Sequence, residues 1–213
     1  MIKQGPNLFL RPFEVEEWPL LDGWFYSGLY PNFFIDQNGL MTVDQFKGYA
    51  YIWNAQSFVI RCVKPIGDFP VGTPVGMVMV YDIKTNHKTA KIGVLIDNKF
   101  QNEKFCLEAM WIVTDYLINS LGFRKLIIEI SPEDHYRMAF FEKTEKGVFT
   151  YEAVFKNEVL VNGKERDMHR WILTNEGIQD KLNKIGEFLW HTQQQPPPPQ
   201  LLQAQQQLRP QLH

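Results

Sequence analysis

The chain has 213 residues, enough for one domain with a sizeable core or for a domain with an appendage. Its hydrophobic fraction of 45% is typical of a globular protein, and its net charge of −2 gives no electrostatic reason to expect binding to nucleic acid or to an anionic membrane surface. Two cysteines, Cys62 and Cys106, are too few for a disulfide framework and lack the spacing of a metal site. No signal peptide or membrane span is evident, so we expect a soluble, cytoplasmic protein.

The first third of the chain alternates between strand and helix patterns. Residues 8–13 predict a first strand, because Pro12 suits a strand end but not a central strand position. Residues 15–26 predict a helix, and residues 42–52 predict a second helix that opens on the capping-box pattern Thr-Val-Asp-Gln. Residues 57–64 alternate apolar and polar side chains and predict another strand.

The central stretch predicts a hairpin followed by a loop and a helix. Residues 77–81 and 92–96 are apolar runs of strand length, separated by a polar turn at 84–89. Residues 97–104 are polar, and a helical stripe of apolar side chains begins at Phe105 and runs to about Gly122. A strand that leads through a short loop into a helix start is suited to holding a phosphate, because the first turn of a helix offers N–H donors and a positive dipole end.

The last third predicts a strand, a hairpin and a final helix. Residues 125–130 read as a short strand, and Ser131-Pro132 opens another helix. Residues 149–161 and 164–173 predict two strands joined at Asn162-Gly163, a strong hairpin signal. Residues 175–189 carry apolar side chains at helical spacing, and the Gln- and Pro-rich stretch from 191 predicts a disordered tail.

Three adjoining stretches carry recognisable motifs: AKIGVLI at 90–96, FQNEKFC at 100–106 and LEAM at 107–110. In this order they resemble the GNAT acyltransferase superfamily, and within it the RimJ/RimL and spermidine acetyltransferase type. The opening LRP at 10–12 and the hairpin NGKERD at 162–167 also resemble that group. The resemblance covers about residues 7–173.

The resemblance implies the fold and the domain organisation. It implies a mixed α/β (α+β) protein of GNAT-like acyl-CoA N-acyltransferase fold, with a twisted mixed sheet of six or seven strands flanked by helices. We expect residues 1–173 to form this domain. Residues 174–190 would add an amphipathic helix that the family does not need, and residues 191–213 a disordered tail.

The resemblance also implies a binding site for acetyl-CoA as co-substrate. Strand residues would pair with the coenzyme, and the loop after them would hold its pyrophosphate. The residues implied are Val94, Leu95, Ile96, Gln101, Asn102, Glu103, Lys104, Phe105 and Cys106, with Asp134 and Arg137 near the pantetheine. The key glycine of the family loop falls on Lys104, whose side chain narrows the approach of the backbone to a phosphate but brings a cation to it.

The catalytic residues depart from the family pattern. Phe141 stands where many members carry a tyrosine that protonates the leaving thiolate of the coenzyme, and it has no proton to give. Glu129 is a candidate base for the acceptor amine, or else a salt-bridged strand residue that faces opposite to Ile128 and Ile130. His135 titrates in a suitable range, or is simply an exposed residue at a helix start. No metal site is expected.

The acceptor side is implied to lie in the first helical segments, where aromatic residues are dense. The candidate acceptor contacts are Trp24, Tyr26, Tyr30, Phe33 and Phe34. The alternative is that this cluster caps the core, since aromatic side chains dominate burial in most domains.

Two functions follow from these patterns. The first is an acetyl-CoA-dependent N-acetyltransferase, a monomer or homodimer, whose acceptor amine attacks the thioester directly; the acceptor would be a polyamine, a small-molecule amine or a protein N-terminus. The second is a catalytically impaired GNAT-like pseudoenzyme that binds a protein partner, with residues 174–213 as interaction elements.

Overall fold

The computed structural model describes residues 3–25, 48, 55–100, 103–132, 148–161 and 163–191. Seven strands lie in these ranges: β1 (Leu8–Pro12), β2 (Gln56–Cys62), β3 (Pro74–Lys84), β4 (Thr89–Ile96), β5 (Lys125–Ile130), β6 (Thr150–Val161) and β7 (Lys164–Thr174). They form one sheet in the order β1-β2-β3-β4-β5-β7-β6. Only β4 and β5 pair in parallel; the other neighbours are antiparallel. The predicted mixed sheet of six or seven strands is confirmed.

The described ranges contain three α-helices with defined bounds: α1 (Trp18–Phe25), α2 (Glu103–Asp115) and α3 (Ile178–His191). A 3-10 turn at Val15–Glu17 leads into α1, and a second one, Asn98–Phe100, lies between β4 and α2. A π-helical turn at Tyr116–Ser120 continues α2, and Gly122 then ends it with a φ of +70°. The predicted helix at 42–52, apart from Gly48, lies outside the described residues, as do the helix predicted after residue 132 and the tail from 192.

The start of α2 corrects the sequence interpretation. The loop was expected to run to residue 104 and the helix to begin at Phe105, but the helix begins at Glu103. The apolar stripe alone cannot locate a polar first turn, because a helix start is defined by backbone hydrogen bonds and not by side-chain periodicity. Lys104 therefore lies in the helix and not in the loop before it.

The two faces of the sheet carry separate cores. On one face, α2 and α3 pack against the sheet through Ala109, Met110, Ile112, Val113, Ile178 and Leu182. On the other face, Trp24 of α1 packs against Val59, Met77, Met79 and Leu95. Burying apolar surface on both faces of the central strands explains why β3 and β4 read as nearly continuous apolar runs.

Strands β3 and β4 approach each other closely at Gly76. An added Cβ there would lie 2.1 Å from the carbonyl oxygen of Leu95, so only glycine fits this part of the ladder. This contact fixes the end of β4, where the chain leaves the sheet toward α2. Among the described helices, none is long and apolar enough to cross a membrane.

Candidate functional site

The sheet splits between β4 and β5. These strands pair over only three positions, Thr89 with Lys125, Ala90 with Leu126 and Lys91 with Ile127. Beyond that point β4 remains paired with β3 as far as Ile96, and β5 remains paired with β7 as far as Ile130. Each strand thus stays in its own ladder while the pairing between the two ends. The predicted coenzyme-pairing residues Val94, Leu95 and Ile96 lie on β4 within this split.

The start of α2 lies a short distance along the chain from the end of β4. Lys104, Phe105 and Cys106 belong to its first turn, while Gln101 and Asn102 lie outside the described residues. The N–H groups of a first helical turn point toward the segment that precedes the helix and carry the positive end of its dipole. The anion site that the sequence pattern indicated at this helix start stays a prediction.

Asp97 connects the end of β4 to this segment. Its backbone N–H donates to the carbonyl of Val75 at 2.8 Å, and its own carbonyl accepts the N–H of Phe100 at 2.8 Å. Its side-chain Oδ1 accepts the N–H of Lys99 at 2.9 Å, which caps the 3-10 turn. Its Oδ2 accepts the indole N–H of Trp24 at 3.0 Å, so one carboxylate joins α1 to the segment that leads to α2.

Trp24 is the only predicted acceptor residue within the described part of the chain. Its side chain is buried, with 5% of its surface exposed, and packs on one face of the central strands. This placement matches the alternative interpretation for that residue, a side chain that caps the core. Tyr26, Tyr30, Phe33 and Phe34 lie outside the described residues, and their assignment to the acceptor site stays a prediction.

Glu129 lies at the point where β4 and β5 separate. Lys91 and Ile127 form the last pair, and Glu129 is the next residue on that face of β5. Its Oε2 bonds the Lys91 ammonium at 2.9 Å, and its Oε1 accepts from Arg170 Nε at 2.9 Å and from a terminal guanidinium nitrogen at 2.5 Å. These contacts match the salt-bridged alternative that the sequence left open, and they brace β4 to β5 and β7 across the split.

The charges around Glu129 extend along the same face. Lys91 lies 3.8 Å from Asp82, and Arg170 lies 3.9 Å from Glu152 while its guanidinium stacks over the Phe155 ring at 4.2 Å. Among the described residues, the acids and bases of this network nearly balance in number.

Glu108 is a second carboxylate that the sequence interpretation did not single out as a functional or structural residue. It lies in α2, fully buried, and accepts the backbone N–H groups of Asn7 and Leu8 at 2.7 and 2.8 Å and the Asn7 amide at 2.8 Å. Burial raises the pKa of Glu108 above its ordinary value, and the hydrogen bonds from Asn7 and Leu8 only partly oppose that rise. The side chain therefore ties α2 to the first strand.

The remaining predicted site residues lie outside the described residues. His135, Phe141, Asp134 and Arg137 all lie in the stretch 133–147, so their roles stay predictions. Within the described residues, no group of three or more His, Cys, Asp or Glu side chains could hold a metal ion. Asp97 and Arg170, which the sequence interpretation missed, had weak signals: Asp97 ends an apolar strand, and Arg170 alternates with buried residues on β7.

Comparisons with known proteins agree on a family. A family model described as "Acetyltransferase (GNAT) domain" matches residues 7–145. The structure is similar to spermidine N-acetyltransferase from Vibrio cholerae in complex with CoA and spermine, with a TM-score of 0.68 and 18% identity over 81% of this chain and 98% of that one. It is also similar to the Vibrio cholerae spermidine/spermine N-acetyltransferase in complex with manganese ions, with a TM-score of 0.63 and 17% identity over 82% and 96% of the two chains. No curated protein matches by sequence.

Proposed function

We propose that this chain, which belongs to the GNAT acetyltransferase family and takes its acetyl group from acetyl-CoA, transfers that group to a primary amine in the split between β4 and β5. The acceptor amine attacks the thioester carbonyl directly, so that the C–N bond forms, the C–S bond breaks and coenzyme A leaves as its thiolate. The amine nitrogen loses one proton in this step, and the thiolate gains one. The supporting observation is the end of β4–β5 pairing after Lys91 and Ile127, beside the first turn of α2.

The residues near the split fit such a co-substrate. The backbone of Val94, Leu95 and Ile96 lies along the side of β4 from which β5 diverges. The first turn of α2 supplies donors for the pyrophosphate, and the Lys104 side chain adds a cation within that same turn. Because Lys104 lies in a helix, its own backbone conformation does not require glycine.

The proton of the acceptor ammonium needs a destination before attack. Glu129 is the carboxylate at the split, but both of its oxygens already bind cations, Lys91 on one side and Arg170 on the other. A carboxylate whose two oxygens are both engaged by cationic donors must give up one of these partners before it can take a proton from the amine. We therefore assign Glu129 a bracing role, and solvent or a residue of the stretch 133–147 the proton transfer.

The class of acceptor is the finer part of the proposal. The two similar structures are spermidine acetyltransferases, which makes a polyamine the first acceptor to test. A polyamine carries several positive charges, and the face around Glu129 is nearly balanced in charge, which gives a polycation no net attraction there. A small monoamine and a peptide N-terminus belong in the same screen.

Calorimetric titration with coenzyme A and acetyl-CoA tests the proposal, followed by an acetylation assay with spermine, a monoamine and a peptide. Binding in the micromolar range and release of free thiol with any acceptor support it. A native protein that gives no heat, together with a Lys104→Gly, Phe141→Tyr double variant that does bind, would mean that the coenzyme site has been lost and would favour the pseudoenzyme.

The structure weakens one part of the pseudoenzyme alternative. That hypothesis used the last helix to bind a partner, but its apolar residues Ile178, Leu182, Ile185 and Leu189 are buried, and those of its later turns pack against α2. The Trp111 indole N–H also donates to the carbonyl of Leu182 at 3.1 Å. The apolar face of α3 is therefore part of the domain core.

A further inference from the structure

We infer that Asp97 is a positioning residue that couples helix α1, which precedes the residues predicted to contact the acceptor, to the segment between β4 and α2. The inference rests on the proposed function and adds to it a residue that relays changes between the two sides of the sheet. It is carried by the two oxygens of one carboxylate, which bind groups from two different parts of the chain.

The first of these contacts fixes α1. Trp24 is the last described side chain of α1 that is buried, and its ring is seated on Val59, Met77, Met79 and Leu95. Apolar packing of this kind sets the depth of the ring but leaves its rotation adjustable. The bond from the indole N–H to Asp97 Oδ2 at 3.0 Å sets the orientation, because a Trp N–H can donate along one direction only.

The second contact fixes the segment that leads to α2. Asp97 Oδ1 caps the N–H of Lys99, and the Asp97 carbonyl accepts the N–H of Phe100, which forms the 3-10 turn Asn98–Phe100. The Phe100 ring is buried and contacts Phe69 edge-on at 4.7 Å between centroids. The turn ends at Phe100, and α2 begins at Glu103.

The backbone of Asp97 is held in place, so its carboxylate can transmit movement between these two contacts. The Asp97 N–H is bonded to Val75 on β3, next to the close approach at Gly76, so the backbone of Asp97 is held by the sheet. Rotation of the carboxylate is then the available adjustment, and it moves both oxygens together. A shift of α1 that turns the Trp24 ring therefore alters the cap on Lys99, and a shift of the turn alters the Trp24 bond.

The test measures coenzyme A affinity by calorimetry in four variants of the full chain. Trp24→Phe removes the indole N–H but keeps an aromatic ring, and Asp97→Asn leaves one oxygen to serve two donors. The double variant tests whether the two act through one path. Trp111→Phe is the matched control, since it removes an indole N–H bond of similar length, to Leu182, on the far side of α2.

We expect Trp24→Phe to weaken coenzyme A binding roughly fivefold and Asp97→Asn roughly tenfold, with the double variant no weaker than Asp97→Asn alone. Trp111→Phe should bind as the native protein does. Thermal unfolding of all four variants separates this outcome from loss of stability: affinity that simply follows the unfolding midpoint, Trp111→Phe included, overturns the inference.

Three further outcomes would overturn the coupling. Native affinity in Trp24→Phe, or a double variant whose loss equals the product of the single losses, overturns the coupling while the proposed function stands. A native protein that does not bind coenzyme A removes the proposed function, and the coupling with it.

Discussion

Two carboxylates on opposite faces of the sheet, Glu108 and Glu129, are held in opposite ways. Glu108, on the side of α2, is fully buried and accepts hydrogen bonds from neutral backbone and amide donors. Glu129, on the side of α1, keeps 14% of its side chain exposed and is paired with the cations of Lys91 and Arg170. Neutral donors complete the hydrogen bonds of Glu108 without cancelling its charge, whereas Lys91 and Arg170 cancel the charge of Glu129 and leave that face of the sheet adjustable. The Glu108 bonds thus lock α2 to β1, and the Glu129 ion pairs brace the strands at the split.

The largest effect is expected from removing the buried carboxylate. Glu108→Ala leaves the N–H groups of Asn7 and Leu8 without their acceptor and opens a cavity, which should lower the free energy of unfolding by about 3–5 kcal/mol. Denaturant unfolding measures it. The exposed Glu158→Ala is the control and should stay within about 0.5 kcal/mol of the native protein. A loss as small as that of the control would show that Glu108 does not lock α2 to β1.

A smaller loss is expected from crowding the same carboxylate. A Cβ at Gly5 would lie 2.4 Å from Glu108 Oε1, so Gly5→Ala must displace the side chain and should lower the free energy of unfolding by about 1–3 kcal/mol. Gly23→Ala is the matched control, because nothing lies within 4 Å of the added Cβ and the residue lies in α1. Alanine is the better helix former, so the control should gain about 0.5–1 kcal/mol. Equal effects at the two glycines would contradict the close contact.

The pH dependence of stability distinguishes Glu108 from an ordinary surface glutamate. Burial raises the folded-state pKa of Glu108 above its ordinary value of 4.5, so the native state binds more protons than the unfolded state between these two pKa values. Stability should therefore fall as pH rises through this window, and the fall should be absent in Glu108→Gln. Unfolding curves of both proteins at several pH values provide the comparison, and parallel pH profiles would refute it.

The smallest effect on stability is expected at the braced carboxylate. Glu129→Gln keeps the shape of the side chain but weakens both ion pairs, which should cost about 1 kcal/mol. If the residue braces the split, turnover should change less than about tenfold, whereas loss of a general base costs about 100- to 10,000-fold. Steady-state assays with the best amine of the acceptor screen measure this. Loss of the acidic limb of the pH–rate profile would restore Glu129 as the base.

Much of the fold was predictable because its signals are local. The apolar runs at 77–81 and 92–96, the Asn162-Gly163 turn and the helical spacing of Ile178, Leu182, Ile185 and Leu189 each specify an element within a few residues. The structure confirms the two apolar strands, the pairing of β6 with β7 and the final helix, while Asn162 itself lies outside the described residues. The start of α2 was misplaced because its first turn is polar, and a polar first turn looks like the end of a loop.

The site was less predictable because its contacts join distant parts of the chain. Glu108 lies in a recognised motif, yet the neighbouring sequence does not show that its carboxylate accepts the N–H groups of Asn7 and Leu8. Alternation alone placed Glu129 on the face of its strand opposite to Ile128 and Ile130, without showing which face of the sheet that is. The cations that bind it come from β4 and β7, and the order of strands along the chain does not show that β5 lies between these two in the sheet.

The sequence by itself determined the elements, the apolar faces and the family, because periodicity, turn chemistry and motifs act over short stretches of chain. Only the tertiary structure decided that β4 and β5 part after Lys91 and Ile127, that Asp97 holds Trp24 and Lys99 together, and that Glu129 is bound by two cations. The reason is physical: hydrogen bonds and ion pairs depend on distances of a few ångströms between atoms. Those distances are set by how strands and helices pack, and not by their separation along the chain.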